Sequence, residues 1–191
     1  MVPAIAGFVG VLVGAWLSDR REREQRRHAF VQRQLQDLYS PLLGLRNEIR
    51  VRSEIRCRIH DAADGEWRRL CAEVRQTADP VGGFERLEHD RSQDFKALIE
   101  YDNKQLADEL IPAYRRMLIT FRDNLWLAEP ETRPFFNELL EFVEIWERWL
   151  AHSLPHEVVQ TLGHSEERLY PFYKHLEAQH DELRRLLSGA V

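Results

Sequence analysis

Histidine and cysteine side chains are the residues of this chain whose types and spacing allow chemistry, and that chemistry would be metal binding. Cys57 and His60 are one helical turn apart, and Cys71 follows eleven residues after His60. A closed structural zinc site needs four converging ligands, and Cys71 belongs to an apolar helical stripe. We therefore expect no metal ion at these residues.

Two further patterns with metal-ligand spacing are incomplete. Glu177 and His180 form a single Glu-x-x-His pair, whereas a di-iron bundle needs two such pairs and two more inward-facing glutamates. His152 and His156 are four residues apart, but Pro155 between them suits the first turn of a new helix. The sequence thus predicts no cofactor and no catalytic residue.

Sequence motifs of known enzyme classes are also missing. The chain has no phosphate-binding glycine loop, dinucleotide fingerprint, nucleophile elbow or zinc-protease motif. Several carboxylates have an arginine four residues on, which is typical of a solvated helix face: Asp19 with Arg23, Glu22 with Arg26, Glu48 with Arg52, and Glu54 with Arg58. The arginines of residues 46–58 form a basic strip, but the chain beyond is acidic, so we expect no nucleic-acid partner.

The elements that would position these residues are helices, because apolar residues recur with helical spacing. From Val31 a heptad-type stripe, as in coiled coils, runs through Leu35, Leu38, Leu42, Leu45 and Ile49. It keeps its phase across Pro41, which predicts a kinked but nearly continuous helix. Similar stripes cross Pro112 and Pro171 in the same way.

Glycine and proline predict where helices end. The stretches "DAADG" at 61–65, "TADPVGG" at 77–83 and "AEPETRP" at 128–134 are expected breaks. Asp102 with Gln105 resembles a capping box that would open a new helix. No strand-like alternation is present. The predicted fold class is all-α: one N-terminal transmembrane helix, then a helical bundle with long, proline-kinked helices.

The first eighteen residues carry no charged side chain, and an arginine block follows them, comprising Arg20, Arg21, Arg23, Arg26 and Arg27. Arginines after an apolar run mark the cytoplasmic flank of a membrane helix. We therefore expect a single-pass anchor at residues 1–18 in the inner (plasma) membrane, with the N-terminus outside and the rest cytoplasmic. A cleaved signal peptide and a buried core segment are the alternatives. As a helix the run rises about 27 Å, slightly less than the hydrocarbon core.

Small residues recur every four positions within the expected anchor, at Ala6, Gly10, Gly14 and Ser18. Such a face lets two membrane helices approach closely, so it allows a homodimer through the anchor. The arginine block is the expected contact for membrane lipids. Arginine outnumbers lysine 24 to 3, a bias that suggests a GC-rich bacterial source.

Charge divides the chain into two halves. Residues 1–60 carry a net charge of plus five and residues 61–191 a net charge of minus ten. We expect a basic juxtamembrane helix at 19–60 with its kink near Pro41, and an acidic bundle at 61–191 that packs with 31–60.

The segment 135–150 is the most apolar predicted helix after the anchor. Its stripe contains Phe142, Trp146 and Trp149, which either lie in the centre of the bundle or form an aromatic surface for a partner. The sequence leaves both readings open.

These observations favour a non-enzymatic, membrane-tethered cytosolic protein that acts in interaction or scaffolding with an unidentified protein partner. The alternative is a membrane-anchored sensor or signalling input module, in which the kinks at Pro41 and Pro112 permit two packings. A helical metal-dependent enzyme is the third candidate.

Overall fold

One helical rod runs through residues 2–75, about 110 Å at the usual rise per residue. The structure is a computed structural model that describes the backbone of residues 2–189 and the side chains from Trp16 onward, except those of Leu17 and His156. The helices in chain order are α1 (Val2–Arg33), α2 (Ser40–Arg75), α3 (Pro80–Gln105), α4 (Ile111–Asp123), α5 (Pro134–Leu150), α6 (His156–Thr161) and α7 (Tyr170–Ser188). Short π-helical segments, Gln34–Tyr39 and Leu106–Leu110, join α1 to α2 and α3 to α4.

The predicted all-α bundle is confirmed, and residues 2–189 contain no strand. In the part of the chain that the structure describes, no helix combines the length and the apolar character needed to cross a membrane. The fold therefore does not support the predicted anchor at 1–18, most of whose side chains lie outside the described residues.

The two prolines expected inside helices lie just after the π-helical segments. A proline has no N–H and its ring displaces the preceding turn, and a π-turn accommodates this by shifting hydrogen bonds to residue i−5. Ser40 donates its N–H to the Leu35 carbonyl, one residue before Pro41. Ile111 donates to Leu106 in the same way before Pro112. The prediction that a helix runs on past both prolines is confirmed, whereas the kink near Pro41 stays a prediction.

Three sequence predictions about helix ends are wrong. The helix does not stop at 61–65, because α2 continues through Gly65 to Arg75. Asp102 does not begin a helix, since α3 runs past it. Pro171 does not kink α7, because that helix starts at Tyr170 and the proline lies in its first turn, where no N–H is needed.

The hydrophobic core lies where the middle of the rod meets α4 and α7, with α5 packed on the other side of α4. Its largest fully buried apolar side chains are Leu38, Tyr39, Leu42, Ile49, Met117, Phe121, Leu127, Leu139, Leu169, Phe172 and Leu176. The stacked rings of Phe121 and Phe172, with centroids 5.8 Å apart, join α4 to α7. The buried residues of this core belong largely to the apolar stripes predicted around Pro41, Pro112 and Pro171.

A buried relay of hydrogen bonds ties the first π-helical segment to the loop before α5 and to α7. The Glu129 amide donates to the Tyr39 hydroxyl (3.2 Å), which lies 2.9 Å from the Thr132 hydroxyl. Thr132 in turn lies 2.7 Å from His175 Nε2. Each hydroxyl has one proton to donate, so the relay is complete when His175 Nε2 accepts. If His175 were protonated, its Nε2 would also donate, and one hydroxyl proton of the relay would be left without an acceptor.

The protein should lose stability when the pH falls from about 7.5 to about 5.5. Burial lowers the pKa of His175 from its ordinary value of 6.5, partly opposed by Glu131. A lowered folded-state pKa gives stability that is complete above the unfolded value and is lost as the pH falls toward the folded one. Urea unfolding across this pH range should show the decrease in unfolding free energy. In the His175→Gln variant the decrease over the same range should be smaller. A rise in stability on acidification would contradict the relay.

Candidate functional site

Beyond the bundle, α2 and α3 form an antiparallel arm, the distal hairpin (residues 60–102). His60 Nε2 lies 2.5 Å from the buried Asp102 carboxylate at its base. Midway along, the rings of Trp67 and Phe95 pack edge to face with centroids 5.0 Å apart. At the tip the helices approach so closely that a Cβ on Gly83 would lie 2.8 Å from a Val74 methyl. These contacts hold the two helices in one register.

An open groove follows one face of this arm. It has a volume of about 640 Å³ and is lined by Asp64, Trp67, Phe84, Glu88, Ser92, Phe95, Lys96, Ile99 and Glu100. Trp67, Phe84 and Phe95 are half-buried, and Ile99 is 52% exposed. Two helices alone cannot enclose such large side chains, so the hairpin groove keeps an apolar floor open to solvent.

The rim of the hairpin groove is acidic. Asp64 and Glu88 are exposed, and neither carboxylate has an ion-pair partner among the described residues. Glu100 lies 3.8 Å from Lys96, the single basic residue that lines the groove. The groove therefore offers three carboxylates and one ammonium around an aromatic floor.

This arrangement suits recognition of a helix. An amphipathic helix can place large apolar residues on the floor while basic residues reach the rim carboxylates. Nowhere in the described residues do three or more His, Cys, Asp or Glu side chains converge as a metal site requires.

The predicted membrane residues lie far from the hairpin groove on α1. Ala6, Gly10 and Gly14 have side chains outside the described residues, and Ser18 is exposed. All five arginines of the block, Arg20, Arg21, Arg23, Arg26 and Arg27, are exposed. Three of them form ion pairs one turn away: Arg20 with Glu24, Arg23 with Asp19, and Arg26 with Glu22. Arg21 and Arg27 therefore carry most of the unpaired positive charge.

The aromatic residues of α5 face inward. Phe142 is buried and packs 4.9 Å from the Tyr114 ring. Trp146 and Trp149 pack against the core and against each other at 5.2 Å. His164 lies 4.7 Å from the Phe142 ring, and burial lowers the pKa of this histidine. Phe142 is thus unavailable as an exposed partner surface, whereas Trp146 and Trp149 are only partly buried on a helix that packs mainly against α4. The choice between a central helix and a partner surface stays a prediction.

Sequence reasoning missed the groove. The spacing of Trp67, Leu70, Cys71 and Val74 predicts one apolar helical face, but it does not show which helix packs against that face. The signal was present, since Phe84, Leu87, Phe95 and Leu98 recur at helical spacing, interrupted by Arg91.

Comparison with known proteins gives no relative: no family model, no curated protein and no solved structure matches this chain.

Proposed function

We propose that this protein is a non-enzymatic interaction or scaffolding protein that binds a partner helix in the hairpin groove. The partner segment is an amphipathic α-helix whose apolar stripe is flanked by lysine or arginine. The observation that carries the proposal is the open aromatic floor between Asp64 and Glu88, two carboxylates without ion-pair partners in the described structure.

The charge of the rim selects this occupant among the helices that could fit. A basic flank pairs with Asp64, Glu88 and Glu100, whereas an acidic helix would bring like charges together at the rim. The floor supplies the affinity, because aromatic side chains in a desolvated centre dominate helix-in-groove interfaces.

A membrane tether at residues 1–18 is part of this proposal. It is supported by the uncharged run and the arginine block after it, and the topology would be N-terminus out with the bundle and arm in the cytoplasm. The rod would then hold the groove away from the lipid surface. Gly10→Arg should release the protein from washed membranes, whereas Gly44→Arg, at an exposed position with open space, should not.

Ile99→Lys should remove a co-purifying partner from the detergent-solubilised full-length protein. The lysine would place a charge on the groove floor, which we expect to weaken binding by at least about tenfold. Ile99 is 52% exposed, so unfolding free energy should change by less than about 0.5 kcal/mol.

Val81→Lys is the matched control, because Val81 is a 74% exposed aliphatic residue of α3 that does not line the groove. A stoichiometric partner that is lost with Ile99→Lys and retained with Val81→Lys supports the proposal. Equal recovery with both variants would refute binding in the groove.

A further inference from the structure

A second cleft lies on the bundle, where the first half of α2 meets the start of α7. It has a volume of about 630 Å³ and is lined by Arg46, Arg50, Ser53, Glu54, Cys57, Arg58, Glu166 and Tyr170. We call it the arginine cleft. Its residues are distinct from those of the hairpin groove, and nothing in the proposed function uses them.

Arg46 is half-buried at one end of the arginine cleft. Its guanidinium stacks on the Tyr173 ring, with the central carbon 4.1 Å from the ring centroid. Its Nε and Nη1 atoms are sealed from solvent and have no hydrogen-bond partner. A buried N–H without an acceptor costs roughly 1–3 kcal/mol, so stacking holds this guanidinium in place at a cost. A ligand in the cleft would meet Arg46 at Nη2, which is not among the sealed atoms.

The other two arginines of the cleft also lack strong partners. Arg50 comes only within 4.0 Å of Glu54. Arg58 forms no hydrogen bond or ion pair among the described residues, although the sequence predicted that it pairs with Glu54. Arg52, outside the cleft on the same helix, pairs with both Glu48 and Glu109. The arginines that line the cleft therefore have no close carboxylate partner among the described residues.

The two carboxylates of the cleft limit how much negative charge a ligand can bring into it. Three arginines and two glutamates give it a net charge of plus one. Burial raises the pKa of Tyr114 and of Tyr173, and the Glu166 carboxylate beside both hydroxyls raises it further. Glu166 therefore faces neutral hydroxyls. Such a balance suits one small anionic group and disfavours a polyanion.

We propose that the arginine cleft binds the phosphate group of a small phosphorylated molecule. Phosphate has more acceptor oxygens than a carboxylate, so it can accept hydrogen bonds from several guanidinium groups at once. The cleft is larger than phosphate alone, so the organic part lies against Cys57 and the half-exposed ring of Tyr170. Ser53 supplies a hydroxyl donor at the same wall.

Titration of the full-length protein in non-ionic detergent with inorganic phosphate, at constant ionic strength and followed by ³¹P NMR, tests this proposal. We expect saturable binding in the millimolar range. Arg58→Gln should weaken it about tenfold through loss of one charge-assisted contact. Arg46→Gln should weaken it further, and Arg52→Gln, the matched control, should leave it unchanged.

Arg58→Gln decides the test even if Arg46→Gln fails to fold, because Arg58 is exposed and makes no contact that the fold needs. The absence of saturable binding up to about 10 mM phosphate would overturn the proposal. So would binding that Arg58→Gln leaves unchanged.

A parallel experiment with lipid vesicles identifies the source of the phosphate. Stronger co-sedimentation with phosphatidic acid vesicles than with phosphatidylcholine vesicles, with an excess that Arg58→Gln reduces, would support the cleft and assign the phosphate to a lipid headgroup. Binding of free phosphate without such co-sedimentation would support a soluble phosphate ester. The near end of the cleft, at Arg46, lies about 40 Å along the rod from residue 18, which favours the soluble ester.

Discussion

Gln34→Glu should lower the free energy of unfolding by about 3 kcal/mol at neutral pH. Gln34 is 2% exposed, and its Nε2 donates to the Leu127 carbonyl and to the Glu129 carboxylate, both at 2.8 Å. A glutamate carboxylate at this position has no proton to donate, so both hydrogen bonds would be lost and the new charge would lie beside the Glu129 carboxylate. The substitution therefore tests whether this buried amide fastens the first π-helical segment to the loop before α5.

The Gln34→Glu defect should depend on pH. Repulsion from Glu129 and burial would raise the pKa of the introduced carboxyl, so the deficit should shrink on acidification as that carboxyl regains a proton to donate. Gln36→Glu is the control, because Gln36 is exposed in the same π-helical segment and the change in net charge is identical. Equal urea midpoints for the two variants at neutral pH would contradict the assigned role of Gln34.

Phe172→Ala should destabilise the protein by about 3 to 5 kcal/mol, the usual range for a fully buried aromatic residue. Phe172 has no exposed surface, stacks on Phe121 and packs 5.4 Å from the Phe135 ring. The cavity would open where α4, α5 and α7 meet. Thermal and urea unfolding of the full chain measure the effect.

Phe30→Ala is the matched control for the core substitution. Phe30 is 41% exposed, and its ring contact is with Trp126, at 6.1 Å. We expect it to cost about 1 kcal/mol or less. Similar losses for Phe30→Ala and Phe172→Ala would show that the bundle core is not centred on the α4–α7 contact.

Regular spacing of apolar residues was enough to predict the helices and much of the core. Leu35, Leu38, Leu42 and Ile49 are buried as the stripe predicted. The stripe also predicted that the helix passes through Pro41. It could not predict the π-turn that makes this passage feasible, because the turn leaves the apolar spacing nearly unchanged.

Gly65 and Asp102 were expected to mark helix ends, but contacts between α2 and α3 outweigh these local preferences. A glycine inside a helix costs about 1 kcal/mol, and the packing of Trp67 on Phe95 two residues later compensates for Gly65. Asp102 has the sequence of a helix cap but lies buried beside His60. Both errors arise because the partner helix is far away in the sequence.

Both candidate sites depend on contacts that spacing cannot reveal. The hairpin groove needs α2 and α3 in register, and the arginine cleft needs α7 to begin beside Arg46. Tyr114 and Tyr173 show the same limit, since nothing in the spacing of apolar residues predicts that they meet. Tyr173 donates to the Tyr114 hydroxyl at 3.3 Å, although 59 residues separate them.

The most direct test of partner binding in the groove is site-specific photo-crosslinking in living cells. A photoreactive amino acid at Ser92, which lines the groove, is compared with one at Gln93, which is exposed beside it but does not line the groove. We predict one discrete adduct from position 92, strongly reduced by Glu88→Lys and unaffected by Glu85→Lys, an acid outside the groove. An adduct equally strong from both positions, or insensitive to Glu88→Lys, would contradict the account.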